Sequence, residues 1–227
     1  MNIACFNDPI KELINKYQSG KLYTIYGNSA TGRSTIATLA AIACAKINFK
    51  VIYIDTENKF SPERLKQLYF GDVNEILDNL FLFSPKSYLE QHEMILNVDK
   101  LAEKDTIKLI IIDSIGALYR NKLNENPKEI NAMMTEQMVK LHRIARDKNK
   151  IVLLTNQVYS EMEGNKIRMV GGKLIEKLSH VIIELNNSND NIYAKLIKYR
   201  MDDSDKKHYM LNKKIFFEIK ENGLFSK

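Results

Sequence analysis

A glycine-rich segment near the amino terminus has the residue types and spacing of a phosphate-binding loop. It lies between an apolar run and an alanine-rich stretch, which is the context of a strand followed by a helix. In such a loop backbone N–H groups converge on phosphate oxygens, and the helix amino terminus adds about half a positive charge. A serine hydroxyl at the helix start is the usual Mg²⁺ ligand, here Ser34. We therefore predict that ATP and Mg²⁺ bind at these residues: Gly27, Asn28, Ser29, Ala30, Thr31, Gly32, Arg33, Ser34 and Thr35.

Position 33 departs from the common form of this loop, in which a lysine precedes the serine. Lysine is a slim point charge, whereas arginine is longer, planar and prefers bidentate contacts. Arg33 keeps the positive charge but changes its reach. We therefore predict ATP binding with weak or absent hydrolysis. The alternative is a glycine-rich turn with Arg33 facing the solvent.

Acidic residues follow two further apolar runs. Asp113 ends the run Leu109–Asp113 and is predicted to hold Mg²⁺ through its water shell. Asp55 and Glu57 follow the first apolar run after the loop. Ligands of open α/β sheets bind at the carboxyl ends of the strands, so Glu57 can activate a water as general base. A solvated loop acid is the alternative for Glu57.

Short apolar runs alternate along the chain with longer segments of helical period. This alternation is typical of βαβ units and a mainly parallel sheet. The predicted strands are Leu22–Tyr26, Val51–Asp55, Leu80–Phe83, Leu109–Asp113 and Ile151–Thr155. The predicted helices are Ser34–Phe49, Pro62–Tyr69, Tyr88–Glu103 and Pro127–Lys148.

The pattern changes after Thr155, where the strand candidates become shorter and lack long helices between them. They are His180–Leu185, Ile192–Tyr199 and Lys214–Ile219, and we expect them to be antiparallel, with a hairpin turn at Asn186–Asn191. We therefore predict one α/β domain over residues 1–227, a mainly parallel twisted sheet flanked by helices with an antiparallel C-terminal extension.

Composition excludes several classes of protein. Hydrophobic residues make up 44% and charged residues 27%, which argues against disordered, collagen-like and coiled-coil chains. We see no signal peptide and no apolar stretch near the roughly 20 residues that span a bilayer, so we expect a cytoplasmic protein without a membrane partner. The net charge of +6 suits an anionic partner, although the predominance of lysine over arginine also suggests a compositional bias.

Five segments together resemble the archaeal RecA-family recombinases of the RadA and RadB type. They are Tyr53–Asn58, Pro62–Arg64, Ile112–Ser114, Leu154–Val158 and Val170–Gly172. The resemblance implies a chain that starts directly on the ATPase core, like RadB, whereas RadA carries a helix-hairpin-helix domain and a polymerisation motif before it. The resemblance implies a RecA-like phosphate-loop ATPase core. It also implies an ATP- and DNA-binding accessory protein of DNA repair and homologous recombination, with weak hydrolysis and no strong strand exchange of its own.

The same resemblance implies roles for individual residues at the nucleotide. Glu57 matches the acid that activates water, and Gln157 matches the glutamine that senses the γ-phosphate. The strand ending at Thr155 is expected between the two strands that end at the loop and at Asp113. Lys198 and Arg200 resemble cations that reach a neighbouring subunit's nucleotide in trans; a basic edge strand that discourages aggregation is the alternative.

The resemblance also implies where DNA binds. The stretches 119–131 and 158–170 correspond to the two DNA-binding loops of the family. Arg120 in the first stretch, and Lys166 and Arg168 in the second, are the candidate DNA contacts.

Several partners and two other functions follow as expectations. DNA is expected to be single-stranded or duplex, and the protein partners implied are a RadA-type recombinase and a Holliday-junction nuclease; a homodimer is left open. A different class is a clock- or signalling-type RecA-like ATPase that acts on proteins without DNA. A third alternative is a nucleotide-binding structural subunit without turnover.

Overall fold

The computed structural model describes residues 2–5, 9–160, 167–188, 191–201 and 213–227. The strands are β1 (Asn2–Ala4), β2 (Lys16–Gln18), β3 (Leu22–Gly27), β4 (Lys50–Asp55), β5 (Leu80–Phe83), β6 (Ile107–Asp113), β7 (Ile151–Asn156), β8 (Val158–Ser160), β9 (Ile167–Met169), β10 (Val181–Ser188), β11 (Asn191–Tyr199), β12 (Lys214–Lys220) and β13 (Gly223–Ser226). The helices are α1 (Lys11–Ile14), α2 (Arg33–Ala45), α3 (Pro62–Leu68), α4 (Val73–Leu77), α5 (Tyr88–Ala102), α6 (Ala117–Lys122), α7 (Pro127–Asp147) and α8 (Gly172–Leu178).

One large sheet organises the molecule, with the strand order β13-β12-β11-β10-β3-β7-β6-β4-β5. From β10 to β5 neighbouring strands are parallel. From β10 to β13 they are antiparallel. The predicted fold class is therefore confirmed. The predicted C-terminal strands are antiparallel to one another, as expected, and β10 also pairs parallel with β3, because helix α8 carries the chain back so that β10 starts at the same edge.

Helices cover both faces of the sheet and bury two apolar cores. On one face α2 packs with β1 and β2, and its Ile36 and Leu39 are buried. On the other face α5 and α7 pack together through residues such as Ile95 and Met138. Burial on both faces explains why the central parallel strands β3, β4, β6 and β7 read as continuous apolar runs in the sequence. None of the helices in the described ranges is long and apolar enough to span a bilayer.

Local signals set where the helices begin and end. Ser61 caps α3 by accepting a hydrogen bond from the Arg64 backbone N–H at 3.0 Å, with Pro62 at the first helical position. Helix α2 was predicted to continue to Phe49 but ends at Ala45. The reason is Asn48, whose left-handed backbone (φ 60°) terminates the helix.

Two expected loops contain regular structure. The stretch 119–131 is mostly helical, because it holds the end of α6 and the start of α7, which Asn126 caps. In the stretch 158–170, β8 and β9 pair as an antiparallel hairpin, while residues 161–166 lie outside the described ranges. The predicted turn between β10 and β11 is narrower than Asn186–Asn191, because pairing continues to Ser188 opposite Asn191.

Candidate functional site

The glycine-rich loop connects the end of β3 to the start of α2. Ala30 (φ 61°) and Gly32 (φ 93°) both have left-handed backbone, and the Thr31 hydroxyl donates a hydrogen bond to the Asn28 carbonyl at 2.8 Å. Such a compact loop turns successive N–H groups inward. Helix α2 has no side-chain cap and no acidic residue in its first turn, so its first N–H groups are available to an anion. The loop therefore fits a phosphate group.

A cluster of hydroxyl groups surrounds the buried carboxylate of Asp113. Ser34 Oγ donates to Asp113 Oδ1 at 3.2 Å, and the Tyr53 hydroxyl donates to Oδ2 at 2.9 Å. Thr155 also donates to Oδ1. Burial raises the pKa of Asp113, and the hydrogen bonds from Thr155, Tyr53 and Ser34 oppose that rise. A serine hydroxyl beside a carboxylate provides the oxygen ligands that Mg²⁺ prefers, so the predicted pair Ser34 and Asp113 fits this ion.

Glu57 lies at the carboxyl end of β4, and three side chains donate hydrogen bonds to its carboxylate. Ser114 Oγ and Gln157 Nε2 each donate to Oε1 at 3.0 Å, and the Lys59 ammonium pairs with Oε2. Burial alone raises the pKa of Glu57, but the hydrogen bonds from Lys59, Gln157 and Ser114 together lower it below its ordinary value. The carboxylate is therefore ionised at neutral pH, and the alternative of a solvated loop acid is wrong.

Arg33 does not face the solvent, so the alternative of a turn with an exposed arginine is also wrong. Its Nη1 donates to the Asn156 carbonyl at 2.6 Å, and burial lowers its pKa while Glu57 and Asp113 oppose that change. Asn156 is fully buried and also donates through Nδ2 to the Val170 carbonyl at 2.7 Å. Asn156 thus connects the glycine-rich loop to the end of the β8–β9 segment.

Two cavities meet at this edge of the sheet. The larger, about 220 Å³, is lined by the glycine-rich loop, Glu57, Gln157 and Arg120. The smaller, about 140 Å³, is lined by Ser34, Asp113 and Arg64 among others. Arg120, expected as a DNA contact, therefore lies in the cavity that contains the loop. Strand β7 lies between β3 and β6, as expected, and its end brings Gln157 to Glu57.

Other predicted residues lie elsewhere. Lys198 and Arg200 are at the opposite edge of the sheet from the glycine-rich loop, because Lys198 pairs with Ile182 near the start of β10. Lys198 Nζ donates to the Glu176 carbonyl at 2.5 Å. Lys166 lies outside the described residues, and the backbone of Arg168 belongs to β9.

The structure adds residues that the sequence argument had not assigned to the site. The sequence contains a signal that could have assigned Tyr53 and Ser114 to the site. Tyr53 lies two residues before Asp55 on the same strand, and Ser114 follows Asp113. Arg64 on helix α3, whose Nη2 donates to Thr35 Oγ1 at 3.5 Å, had no such signal, because only the fold brings it to the smaller cavity. Lys59 lies two residues after Glu57 and had the same kind of signal as Tyr53.

The glycine-rich loop follows β3 and the buried Asp113 ends β6, and strand β7 lies between these two strands. Phosphate-loop proteins of the RecA-like class share this arrangement. Residues 10–225 match the family described as Rad51, and the chain therefore belongs to the Rad51 family.

Within that family the similarity is to RadB proteins, which confirms the resemblance seen in the sequence. The DNA repair and recombination protein RadB of Methanococcus maripaludis is 35% identical over 220 residues, covering 95% of this chain and 96% of the relative. The RadB protein of Archaeoglobus fulgidus is 34% identical over 209 residues, covering 91% and 90%. The crystal structure of the RadB recombinase has 28% identity and a TM-score of 0.78, covering 95% of this chain and 94% of that one.

Proposed function

We propose that this chain binds ATP with Mg²⁺ and binds DNA, and that it is an accessory protein of DNA repair and homologous recombination. The observation that carries the proposal is the convergence, at one sheet edge, of an uncapped helix start, the Ser34–Asp113 pair and the Glu57–Gln157 pair. Membership of the Rad51 family and the names of the relatives support the recombination role.

The chain's own residues have distinct roles in this proposal. The N–H groups of the glycine-rich loop bind the phosphates, and Ser34 and Asp113 hold Mg²⁺, which neutralises phosphate charge when bound. Glu57 orients and deprotonates a water, and Gln157 senses the terminal phosphate through its bond to Glu57. Weak hydrolysis is supported by Arg33, since its guanidinium is committed to the Asn156 carbonyl.

The proposed DNA surface adjoins the nucleotide site. Arg120, Lys166 and Arg168 are the proposed contacts, and Lys198 and Arg200 remain proposed to act in trans. The hydrogen bond from Asn156 to the Val170 carbonyl supports coupling between nucleotide and the second DNA-binding stretch. The proposed protein partners are a RadA-type recombinase, a Holliday-junction nuclease and a second copy of the chain. Arg120 lines the larger cavity, which supports a direct connection between the two ligands.

A clock- or signalling-type ATPase is not favoured, because the relatives reported above are recombination proteins.

A structural subunit without turnover is tested by steady-state phosphate release from the natural chain and from Arg33→Lys. We expect Arg33→Lys to release phosphate at least tenfold faster, since lysine restores the common phosphate contact. Two inactive proteins that both bind ATP would instead support the structural role.

DNA binding measured with and without ATP and Mg²⁺ over a salt range tests the proposal. We expect single-strand affinity to fall with a log–log slope of about −0.7 per phosphate contact, and to be higher with ATP and Mg²⁺. Arg120→Ala should weaken binding to all sequences alike, whereas Arg143→Ala, an exposed arginine on α7, is the matched control. Absent or salt-independent DNA binding would refute the DNA role.

A further inference from the structure

Lys59 occupies a position that links the two cavities of the site. It lines the larger cavity together with the glycine-rich loop and the smaller one together with Ser34 and Asp113. Its side chain is 58% exposed, so it can move without disturbing the core. An exposed cation is thus present beside both the proposed phosphate-binding groups and the proposed Mg²⁺ ligands.

Arg33, the cation of the glycine-rich loop, is bonded to another part of the protein. Arg33 donates through Nη1 to the Asn156 carbonyl at 2.6 Å, at the end of β7. A planar guanidinium with one edge bonded to the protein cannot insert between phosphates as a lysine does. The loop therefore has a positive charge but not the slender, extended donor usual at this position.

The partner of Lys59 is Glu57, whose side chain is 16% exposed. Oε1 already accepts hydrogen bonds from Ser114 and Gln157, and Lys59 binds Oε2. With both oxygens bonded to protein groups, Glu57 has little capacity left to accept a proton from water. Displacing Lys59 would leave Oε2 available for that proton.

We infer that Lys59 is the terminal-phosphate cation of this chain and replaces in cis the lysine that the loop lacks. The Lys59 ammonium exchanges the Glu57 carboxylate for the γ-phosphate of a bound triphosphate, and the exchange frees Oε2 of Glu57. Lys59 is paired with one anion in each arrangement, and after the exchange the Glu57 carboxylate keeps its hydrogen bonds from Ser114 and Gln157. This inference rests on the proposed nucleotide binding and assigns to Lys59 the discrimination between triphosphate and diphosphate.

Dissociation constants for ATPγS and ADP in the presence of Mg²⁺ test the role of Lys59. Lys59→Met should weaken ATPγS binding about tenfold or more, the effect of one charge-assisted hydrogen bond, and leave ADP binding within about twofold. Lys59→Arg should restore most of the ATPγS affinity. Lys100→Met, an exposed lysine on α5, is the matched control and should bind both nucleotides like the natural chain.

A double-mutant cycle tests whether Lys59 replaces the loop lysine. In an Arg33→Lys background, Lys59→Met should cost less than about threefold in ATPγS affinity, because the loop then supplies its own cation. An equal loss in both backgrounds would refute the replacement. An unchanged ratio of ATPγS to ADP affinity in Lys59→Met would overturn the inference alone, whereas no nucleotide binding by the natural chain would overturn the proposed function as well.

Discussion

Gly27, the last residue of β3, lies opposite Leu185 of the neighbouring strand β10. A Cβ atom at this position would lie 2.2 Å from the Leu185 carbonyl oxygen. Gly27 was predicted as part of the phosphate-binding loop, where a missing side chain lets the backbone approach a phosphate, and the sheet imposes a second, independent requirement. Both requirements exclude a side chain at position 27, one because of the proposed ligand and one because of the neighbouring strand.

Gly27→Ala should therefore destabilise the protein even without nucleotide. We expect a loss of about 2–3 kcal/mol in the free energy of unfolding, because overpacking against backbone cannot be relieved by a side-chain rotation. Urea unfolding measures this loss. Ser29→Ala, at an exposed position of the same loop, should change the free energy of unfolding by less than about 0.5 kcal/mol. Equal stability of Gly27→Ala and the natural chain would contradict the close approach.

At the scale of elements, a pair of stacked histidines connects α7 to the start of β10. The rings of His142 and His180 are 5.1 Å apart and nearly parallel. His180 Nδ1 accepts a hydrogen bond from the Leu22 backbone N–H at 3.0 Å, so that nitrogen carries no proton. Burial, together with positive charge at Lys21, His142, Lys198 and Arg200, lowers the pKa of His180 to about 4.

This pair makes stability depend on pH. The folded pKa of His180 is below the unfolded value, so the unfolded chain binds more protons between about pH 6.5 and 4, and stability falls as pH decreases through that range. After allowance for solvent screening at this partly exposed site, we expect a loss of roughly 1–2 kcal/mol from His180. Urea unfolding at pH 7.5 and 4.5 measures it. The free energy of unfolding of His180→Gln should depend less on pH than that of the natural chain, whereas His92→Gln, the control, should keep the natural dependence. A pH dependence lost in His92→Gln and kept in His180→Gln would contradict the assignment to His180.

At the scale of the whole molecule, the proposed ligands bind elements far apart in the chain. The loop before α2, the end of β6 and the end of β7 all contribute to the site, and these elements cross the centre of the sheet. A ligand that binds only when these elements are assembled stabilises the whole fold. If residues 1–227 form a single domain, as predicted, we expect the chain to unfold in one cooperative transition.

ATP with Mg²⁺ should accordingly raise the melting temperature. At 100 times the dissociation constant the stabilisation is about 2.7 kcal/mol, which corresponds to roughly 5–10 °C for a chain of this size. Differential scanning calorimetry with excess chelator is the control, since removal of Mg²⁺ should abolish most of the shift. A shift that persists in chelator would mean that Ser34 and Asp113 do not bind the ion.

The sequence by itself was sufficient for the fold class and for the chemical groups of the site. Continuous apolar runs predicted the parallel strands, and the central ones, β3, β4, β6 and β7, are buried on both faces. Glycine, hydroxyl and carboxylate residues at strand ends predicted the phosphate loop, Asp113 and Glu57, because parallel strands bring their carboxyl ends to one edge. These inferences depend on short-range pattern, which a sequence displays directly.

The tertiary structure alone decided how those groups are paired. Arg33 bonds to the carbonyl of Asn156, and Arg120 lines the cavity at the loop, although neither contact has a local signal. Lys59 lines both cavities because the fold brings the glycine-rich loop and Asp113 to the segment after β4. Hydrogen bonds between residues a hundred positions apart, such as Gln157 to Glu57, depend on strand order and on packing of the whole sheet, which no local pattern of residues contains.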